Sequence, residues 1–458
     1  MVRAEVAVVG AGLAGLTAAI RLAESGARVQ VLATGHAATH WAPGGIDVGA
    51  VPGAPTSHAA VDELARLPGH PYAFLAAELP AALDWLRAAL AAEGLDLVGD
   101  LGDPLRAIPT SIGATRPAAI LPDGMAAALA PWAPDEILVV CGLAGFRDFW
   151  PEAIAEGLRR PATWRGQQPP ARIESISIEL PGLAGRHNLS SLDLARLFDD
   201  PAWRGTAFDA ISRALEVRSP GRAGGAGSVR GRLALPAVLG LHDHPAVLAA
   251  ARERLPLAPF EVALVPPSIP GLRLFAALRA ILRRHGGRLQ VGEAVHGTIG
   301  PGGRVSELRA PAAARELVVS AGAVILATGG IAGGGLIADG PGLLREAVLG
   351  LPVDGPPAEH WLLNDPFDPA GHPLETAGLR TDSRLRPVAP GAPDRPLAEN
   401  VRIAGSLLAG QRYLREHCGD GVALASAAVA ARELADDDRR DSGPGCGARV
   451  VRLDRPQR

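Results

Sequence analysis

The sequence predicts an α/β fold in which a Rossmann-like nucleotide-binding domain is discontinuous in sequence and carries an inserted α/β second domain. Three observations predict it. A short apolar strand beginning at Glu5 runs directly into Gly10-Ala-Gly12-Leu-Ala-Gly15 and then into an Ala-rich helix. Further apolar strands end in glycine late in the chain, at residues 323–330 and 400–406. Helical patterns and Pro-rich connections occupy most of the chain between these segments.

The glycines of the first turn have the GxGxxG spacing, in a strand-to-helix context that makes the motif specific. Gly10 makes the sharp turn, Gly12 lets the backbone approach a phosphate, and Gly15 lets the helix lie close to the strand. The helix N-terminus then faces the anion. This strand, turn and helix therefore predict a nucleotide cofactor bound at the turn.

The second strand, at residues 28–32, indicates which cofactor is bound. It ends in Ala33-Thr34-Gly35, where an Asp or Glu would normally hold the adenosine ribose hydroxyls. Thr34 offers one hydroxyl in place of that acid. The missing carboxylate favours FMN, which has no adenosine, whereas the pyrophosphate-type turn favours FAD. We expect FMN, with FAD as the alternative.

Composition fits an enzyme of two or three domains: the chain has 458 residues, is 48% hydrophobic, and has a net charge of −3, which gives no indication of nucleic-acid binding. It contains no lysine, so a substrate phosphate must be held by arginine or backbone amides.

Cys141, Cys418 and Cys446 form no CxxC, which predicts neither an iron–sulfur site nor a disulfide framework and favours a reducing cytoplasmic compartment. No apolar stretch is long enough to span a bilayer, so any membrane association is expected to be peripheral.

The predicted flavin-binding domain comprises residues 1–50 plus 271–435, with the inserted domain at 51–270 and a mobile tail at 436–458. Glycines at strand ends let the backbone pass close to a flavin's phosphates or ribityl chain, and an acidic residue before the last helix can replace the missing carboxylate. Besides Gly10, Gly12, Gly15 and Thr34, the candidate cofactor residues are Gly44, Gly45, Thr328, Gly329, Gly405, Ser406 and Asp420.

An ordered set of short motifs covers the chain to about residue 434: residues 10–15, 70–72, 109–113, 142–146, 266–273, 367–369, 381–387 and 405–410. With this set the chain resembles the two-dinucleotide-binding-domain flavoproteins and, within them, the family of B subunits of bacterial anaerobic glycerol-3-phosphate dehydrogenases. The resemblance implies an FMN-binding subunit that works with a larger catalytic flavoprotein subunit and a membrane-bound iron–sulfur subunit. It implies oxidation of sn-glycerol 3-phosphate to dihydroxyacetone phosphate, with quinone as electron acceptor, at the inner membrane through those partners. Related flavoproteins often carry Gly-Asp where this chain has Gly405-Ser406.

Oxidation of a secondary alcohol needs a base for the hydroxyl proton and a cation for the phosphate. His372, Arg384 and Arg386 are the candidate catalytic residues; His40, His417, Arg380 and Arg412 lie in similar loops. Two alternatives stay open: these are solvated loop residues, or substrate chemistry belongs to the larger partner and this chain relays electrons. No metal site is predicted.

Two further function hypotheses remain. One is a stand-alone FAD oxidoreductase of the fumarate-reductase type that acts on a small carboxylate. The other is a scaffold that kept the fold and lost the cofactor. The identity of an extracted flavin separates both from the redox-subunit hypothesis.

Overall fold

The computed structural model describes residues 2–217, 230–292, 294–311, 316–339 and 342–442. The helices of this part of the chain are α1 (Leu13–Glu24), α2 (Ser57–Ala65), α3 (Tyr72–Leu75), α4 (Leu79–Ala91), α5 (Pro151–Leu158), α6 (Ser191–Asp199), α7 (Pro201–Val217), α8 (His244–Arg254), α9 (Ile269–Arg284), α10 (Tyr413–Glu416) and α11 (Gly419–Ser442).

The strands of the described residues are, in chain order, β1 (Val2–Val9), β2 (Val29–Ala33), β3 (Leu97–Val98), β4 (Arg106–Pro109), β5 (Thr115–Ala118), β6 (Leu121–Pro122), β7 (Ile137–Leu143), β8 (Arg172–Ile178), β9 (Gly231–Pro236), β10 (Ala258–Val262), β11 (Arg288–Val291), β12 (His296–Gly297), β13 (Glu307–Ala310), β14 (Leu317–Leu326), β15 (Leu336–Ala338), β16 (Leu344–Glu346), β17 (Val388–Ala389), β18 (Ala392–Pro396) and β19 (Val401–Ile403).

The chain divides into two compact units. Unit 1 consists of Met1–Thr39, Asp47–Ala89 and Phe275–Arg458, and unit 2 of His40–Ile46 and Leu90–Leu274. Each unit has a largely parallel sheet of its own. The predicted fold class, a discontinuous Rossmann-like domain with an inserted α/β second domain, is confirmed.

Unit 1 is built on a seven-stranded sheet in the order β11-β2-β1-β14-β13-β12, in which β19 also pairs with β14. The strands β11, β2, β1, β14 and β19 are parallel, whereas β13 pairs antiparallel with β14 and β12 pairs antiparallel with β13. The central strands are apolar throughout their second halves: residues 6–9 of β1 and 324–326 of β14 are buried. Such continuous burial is typical of parallel strands that are covered on both faces.

Helix α1 covers β1 and β2 and packs against α11. Its side chains Leu16 and Ile20 are completely buried, and burial of a side chain of this size contributes about 1.5–3 kcal/mol. The helix ends at Glu24 because Ser25 and Gly26 follow, and Gly26 has a φ of +91°, which glycine adopts readily. The chain then enters β2 parallel to β1, which completes the β1-α1-β2 unit that the sequence predicts.

Unit 2 contains a four-stranded parallel sheet in the order β10-β9-β7-β8. All seven residues of β7 are buried, and they join a continuous apolar core with side chains such as Phe198, Phe208 and Phe260. A buried salt bridge between Arg273 and Glu261 lies beside this sheet, with 2.7 Å between Nη1 and Oε2. Unit 2 therefore has a core large enough to form an α/β domain.

Two segments differ from the predicted boundaries. Residues 51–89 lie in unit 1 rather than in the insertion, because α3 packs on α11 and the Tyr72 hydroxyl donates to the Val48 carbonyl at 2.5 Å. The predicted tail begins too early, since α11 continues through residue 436 to Ser442 and its Asp437 pairs with Arg402. The rest of that tail, residues 443–458, lies outside the described residues.

Candidate functional site

The carboxyl ends of three neighbouring parallel strands of unit 1 meet at one edge of the sheet. Val9 of β1 lies opposite Leu326 of β14, and Leu326 lies opposite Ile403 of β19. We call the turns that follow these strands the glycine edge, consisting of residues 10–12, 328–330 and 405–406. Ligands of open α/β sheets bind at this edge, and the structure brings together the predicted residues of all three turns.

The three glycines of the first turn differ in what the fold requires of them. A Cβ at Gly10 would lie 2.1 Å from the Ala327 carbonyl oxygen, and a Cβ at Gly15 would lie 2.0 Å from the Gly10 oxygen. Both glycines are therefore needed for packing. A Cβ at Gly12 would meet only the Ala37 Cβ, at an ordinary 3.6 Å. The protein itself leaves space at Gly12.

Helix α1 begins at this space without a capping side chain. Its N-cap residue is Gly12, and its first turn contains no acidic residue. The N-terminus of a helix carries a partial positive charge and amide groups that can bind an anion. Thr34 directly follows β2, the strand next to β1, and is exposed. The residue at the end of β2 is therefore a neutral threonine and adds no negative charge beside α1. The edge thus fits a phosphate group.

The second turn of the glycine edge follows β14. The Ser406 hydroxyl accepts a hydrogen bond from the Gly330 N–H at 3.2 Å, which ties the second turn to the third. The Thr328 hydroxyl oxygen is buried and has no hydrogen-bond partner among the described residues. Gly329 has a φ of +82°, a conformation that favours glycine. Thr328 therefore offers an unused hydroxyl at the edge.

The third turn contacts a residue that sequence reasoning missed. Gly405, at a φ of +74°, donates its N–H to the Ser426 hydroxyl at 2.9 Å, and its carbonyl accepts from Nε2 of the buried Gln411 at 3.2 Å. Gln411 Oε1 is buried without a partner among the described residues. No local motif marks this glutamine, because its role depends on the chain folding back to Gly405.

Asp420 lies in the first turn of α11, where the sequence predicts a flavin contact. The structure gives it a protein partner: its Oδ2 accepts from the Asp47 N–H at 2.9 Å. The N–H groups of Asp420 and Gly421 both donate to the Asp47 carbonyl at 3.0 Å. This helix N-terminus is thus capped by the chain, and the flavin contact of Asp420 stays a prediction.

Gly44 and Gly45 lie in unit 2 and not in the glycine edge of unit 1. A Cβ at Gly44 would lie 2.4 Å from the Pro270 Cβ, and a Cβ at Gly45 would lie 2.9 Å from Leu121 Cδ2. Packing within unit 2 accounts for both glycines, and the cofactor role of Gly44 and Gly45 stays a prediction.

A pocket of about 250 Å³ opens beside the glycine edge and shares Gly330 and Ser406 with it. We call it the edge pocket. Ile331, Leu362 and Leu414 line it and are largely exposed, which makes its surroundings apolar. Its other lining residues are Ala332, His372, Leu374, Glu375, Ala377, Arg412 and Tyr413.

His372, the predicted base, lies at the edge pocket, but both of its ring nitrogens are bonded to backbone. Nδ1 accepts from the Leu363 N–H at 3.0 Å, and Nε2 faces the Pro366 carbonyl at 3.3 Å, where it donates. A general base needs an accessible lone pair. The geometry therefore gives His372 a loop-holding role.

Arg384 and Arg386, the predicted phosphate clamp, lie away from the glycine edge. Arg384 Nε bonds Glu433 of α11 at 2.7 Å, and this hydrogen bond raises the pKa of the Arg384 guanidinium. Arg386 Nε bonds Asp382 at 2.8 Å. Arg384 lines a cavity together with Ala4 and Glu5 of β1, whereas the glycine edge follows Val9 at the other end of that strand. We therefore do not retain these arginines as a clamp at the edge.

A cluster at the C-terminal end of α10 joins His70, Glu416 and Cys418, whose ligating atoms lie within 4.8 Å of one another. Glu416 Oε2 accepts from the Arg412 N–H at 2.7 Å and lies 3.3 Å from His70 Nε2. His70 Nδ1 accepts from the Tyr72 N–H, so the neutral ring carries its proton on Nε2, where a metal would have to bind. Burial raises the pKa of Cys418, and the cluster is best described as a hydrogen-bond network that holds α10.

The chain matches a flavoprotein family over most of its length. The FAD binding domain family model matches residues 5–422, so the chain belongs to the FAD binding domain family, a class of flavoprotein oxidoreductases. The open α1 N-terminus, the space at Gly12 and the buried unpartnered oxygens of Thr328 and Gln411 fit a flavin cofactor.

Full-length relatives give the particular branch. The chain is 30% identical over 454 residues to the B subunit of a probable anaerobic glycerol-3-phosphate dehydrogenase of Halobacterium salinarum, covering 95% of this chain and 100% of that protein. It is 30% identical over 446 residues to the B subunit of the anaerobic glycerol-3-phosphate dehydrogenase of Yersinia pestis, covering 94% and 97%. The chain is homologous to these B subunits, as its motifs predict.

Among solved structures, a 3-ketosteroid Δ1-dehydrogenase of Sterolibacterium denitrificans aligns with 12% identity and a TM-score of 0.44, covering 95% of this chain and 100% of that chain. A mutant quinol fumarate reductase chain of E. coli aligns with 12% identity and a TM-score of 0.39, covering 98% of this chain and 72% of that chain. Within the described ranges, no helix combines the length and apolarity needed to cross a membrane.

Proposed function

We propose that this chain is the flavin-binding redox subunit of a glycerol-3-phosphate:quinone dehydrogenase complex. The complex would convert sn-glycerol 3-phosphate and quinone to dihydroxyacetone phosphate and quinol. A larger catalytic flavoprotein subunit and a membrane-bound iron–sulfur subunit would complete it and hold this chain at the cytoplasmic face of the inner membrane. Full-length homology to B subunits, together with the open phosphate site at α1, carries the proposal.

The glycine edge supplies the binding chemistry. A bound flavin would provide the two-electron redox step that links alcohol oxidation to quinone reduction. The amides at the start of α1 would hold its phosphate, since the space at Gly12 lets the backbone approach an anion closely. Thr328 and Ser406 would orient the group from the neighbouring strand ends, and Gly10 and Gly15 hold the turn in shape.

The edge pocket supports a relay role rather than a substrate-binding role. A phosphate ester in a chain without lysine needs arginine or a set of free amides. Among the described residues that line this pocket, the only arginine is Arg412. Its Nη1 already donates to the Ala370 carbonyl at 2.9 Å. With His372 engaged and Arg384 paired to α11, we assign substrate phosphate binding to the larger partner.

FMN is the flavin we propose, because no acidic side chain follows β2 where an adenosine ribose would be held. The match to the FAD binding domain family favours FAD as the second candidate. It also favours the second candidate function, a stand-alone FAD oxidoreductase that acts on a small carboxylate.

Extraction of the flavin from purified protein, followed by chromatography against FMN and FAD standards, is the first test. FMN supports the proposed subunit, FAD supports the stand-alone oxidoreductase, and no flavin supports a cofactor-free scaffold. The second test is reconstitution: quinone reduction driven by glycerol 3-phosphate should require this chain together with its partners. Full activity of the partners without this chain would contradict the proposal.

A further inference from the structure

Gln411 has an arrangement of hydrogen bonds that the protein alone leaves incomplete. The residue is 2% exposed. Its Nε2 donates to the Gly405 carbonyl at 3.2 Å and to the Leu408 carbonyl at 3.1 Å. Both N–H bonds of the amide are therefore used, and they attach the side chain to the third turn of the glycine edge.

These two carbonyls fix which way the amide points. The reversed amide would place Oε1 against two carbonyl oxygens, where no donor is present. Oε1 therefore faces away from Gly405 and Leu408, and it is buried with no donor among the described residues. A buried acceptor without a donor destabilises a protein, so such groups normally have a partner.

The position of this oxygen indicates what the partner is. Gly405, to which the amide is bonded, packs against the first turn of α1: a Cβ there would lie 2.9 Å from the Ala14 Cβ. The neighbouring Ser406 bonds to Gly330 in the second turn, and the unpartnered Thr328 hydroxyl belongs to the same turn. The glutamine head group is thus attached to the set of turns that fits the cofactor.

We propose that Gln411 is a flavin-binding residue whose Oε1 accepts a hydrogen bond from an N–H or O–H group of the cofactor. An oxidised flavin offers the N3–H of its ring and the hydroxyls of its ribityl chain as donors. The proposal rests on the proposed flavin binding. It adds Gln411 as a contact and assigns it the acceptor role in the hydrogen bond, because both of its N–H groups already donate to the third turn.

Gln411→Met tests this with nearly unchanged side-chain volume, and Gln30→Met is the matched control. Gln30 is also buried, and its amide donates to the Val31 carbonyl within β2, near the amino end of that strand and not at its carboxyl end. Dissociation constants are measured by flavin fluorescence for the natural flavin, for its N3-methyl analogue, and for analogues that each lack one ribityl hydroxyl. One analogue should bind wild-type protein about three- to tenfold more weakly, the effect of one hydrogen bond.

Gln411→Met should bind the natural flavin more weakly by the same factor and should not discriminate against that analogue, as in a double-mutant cycle. Two results would overturn the proposal: equal discrimination by Gln411→Met and wild type against every analogue, or wild-type affinity of Gln411→Met for the natural flavin. In either case Gln411 only stabilises the third turn through its two hydrogen bonds. Absence of flavin binding in both wild type and Gln30→Met would overturn the proposed function itself.

Discussion

Gly12→Val is expected to remain folded and to bind flavin much more weakly than the wild type. Gly12 has φ −75° and ψ −177°, an extended conformation that valine adopts without strain. The new Cβ would meet only the Ala37 Cβ at 3.6 Å, so the side chain is accommodated by the protein and extends into the space in front of α1. That space is where the phosphate would approach the backbone.

The size of the effect follows from the hydrogen bonds that the phosphate would lose. A hydrogen bond to a charged group contributes about 1.5–3 kcal/mol, so loss of one weakens flavin binding roughly ten- to a hundredfold. At a flavin concentration about 100 times the wild-type dissociation constant, binding stabilises the folded state by about 2.7 kcal/mol. After a roughly hundredfold weakening the same concentration contributes only about 0.4 kcal/mol.

Urea unfolding with and without added flavin measures this difference directly. The flavin-free free energy of unfolding of Gly12→Val should match that of Gly102→Val, a control at an exposed glycine whose Cβ would meet nothing within 4 Å. Gly15→Ala should instead lose stability without flavin, because its Cβ would clash with the Gly10 oxygen. Stoichiometric flavin of wild-type affinity in Gly12→Val would refute the phosphate site.

Three further results are expected. Arg384→Ala should leave the Michaelis constant for glycerol 3-phosphate in the assembled complex unchanged, because its partners lie on α11; a strongly raised constant with intact turnover would contradict the relay role. Burial opposes ionisation of Glu261, but Arg273 lowers the pKa of this carboxyl group below its ordinary value of 4.5. The ionised carboxylate therefore stabilises the folded state above about pH 4.5, and this stabilisation is lost as the pH falls and the group is protonated. Arg273→Met removes the arginine that balances this buried carboxylate and should cost about 3–5 kcal/mol at pH 7 and less at pH 5. Equal losses in urea unfolding at both pH values would contradict this. The chain expressed alone should stay in the supernatant after membranes are washed and pelleted; salt-resistant pelleting would show that it needs no partner for membrane binding.

The fold was predictable wherever the signal is local. An apolar strand followed by GxGxxG and a helix specifies β1-α1-β2, and the strands near residues 324 and 401 were found by their apolar runs. The assignment of residues 51–89 to unit 1 was not predictable in this way. Helix α2 packs on α3, and α3 contacts α11, which lies more than 300 residues later in the chain.

The candidate site was predictable in part for the same reason. Glycines at strand ends could be located, because parallel strands place their carboxyl ends at one edge. Arg384 and Arg386 were predicted from their nearness in sequence to β19, which does not determine the end of the strand that a side chain reaches. Gln411 and the His70–Glu416 pair could not be found, since each acquires its partners only when distant segments meet.

Of the three glycines of the first turn, the structure makes Gly12 the one that indicates a ligand. A GxGxxG turn could be explained by packing alone if every glycine in it were required by the fold. Gly10 and Gly15 are required in this sense, because a Cβ at either would collide with backbone oxygen. Gly12 is not, since the protein leaves it room for a side chain. A cofactor-free scaffold has no physical need for glycine at that position or for buried unpartnered oxygens at Thr328 and Gln411, whereas a bound flavin would account for all three.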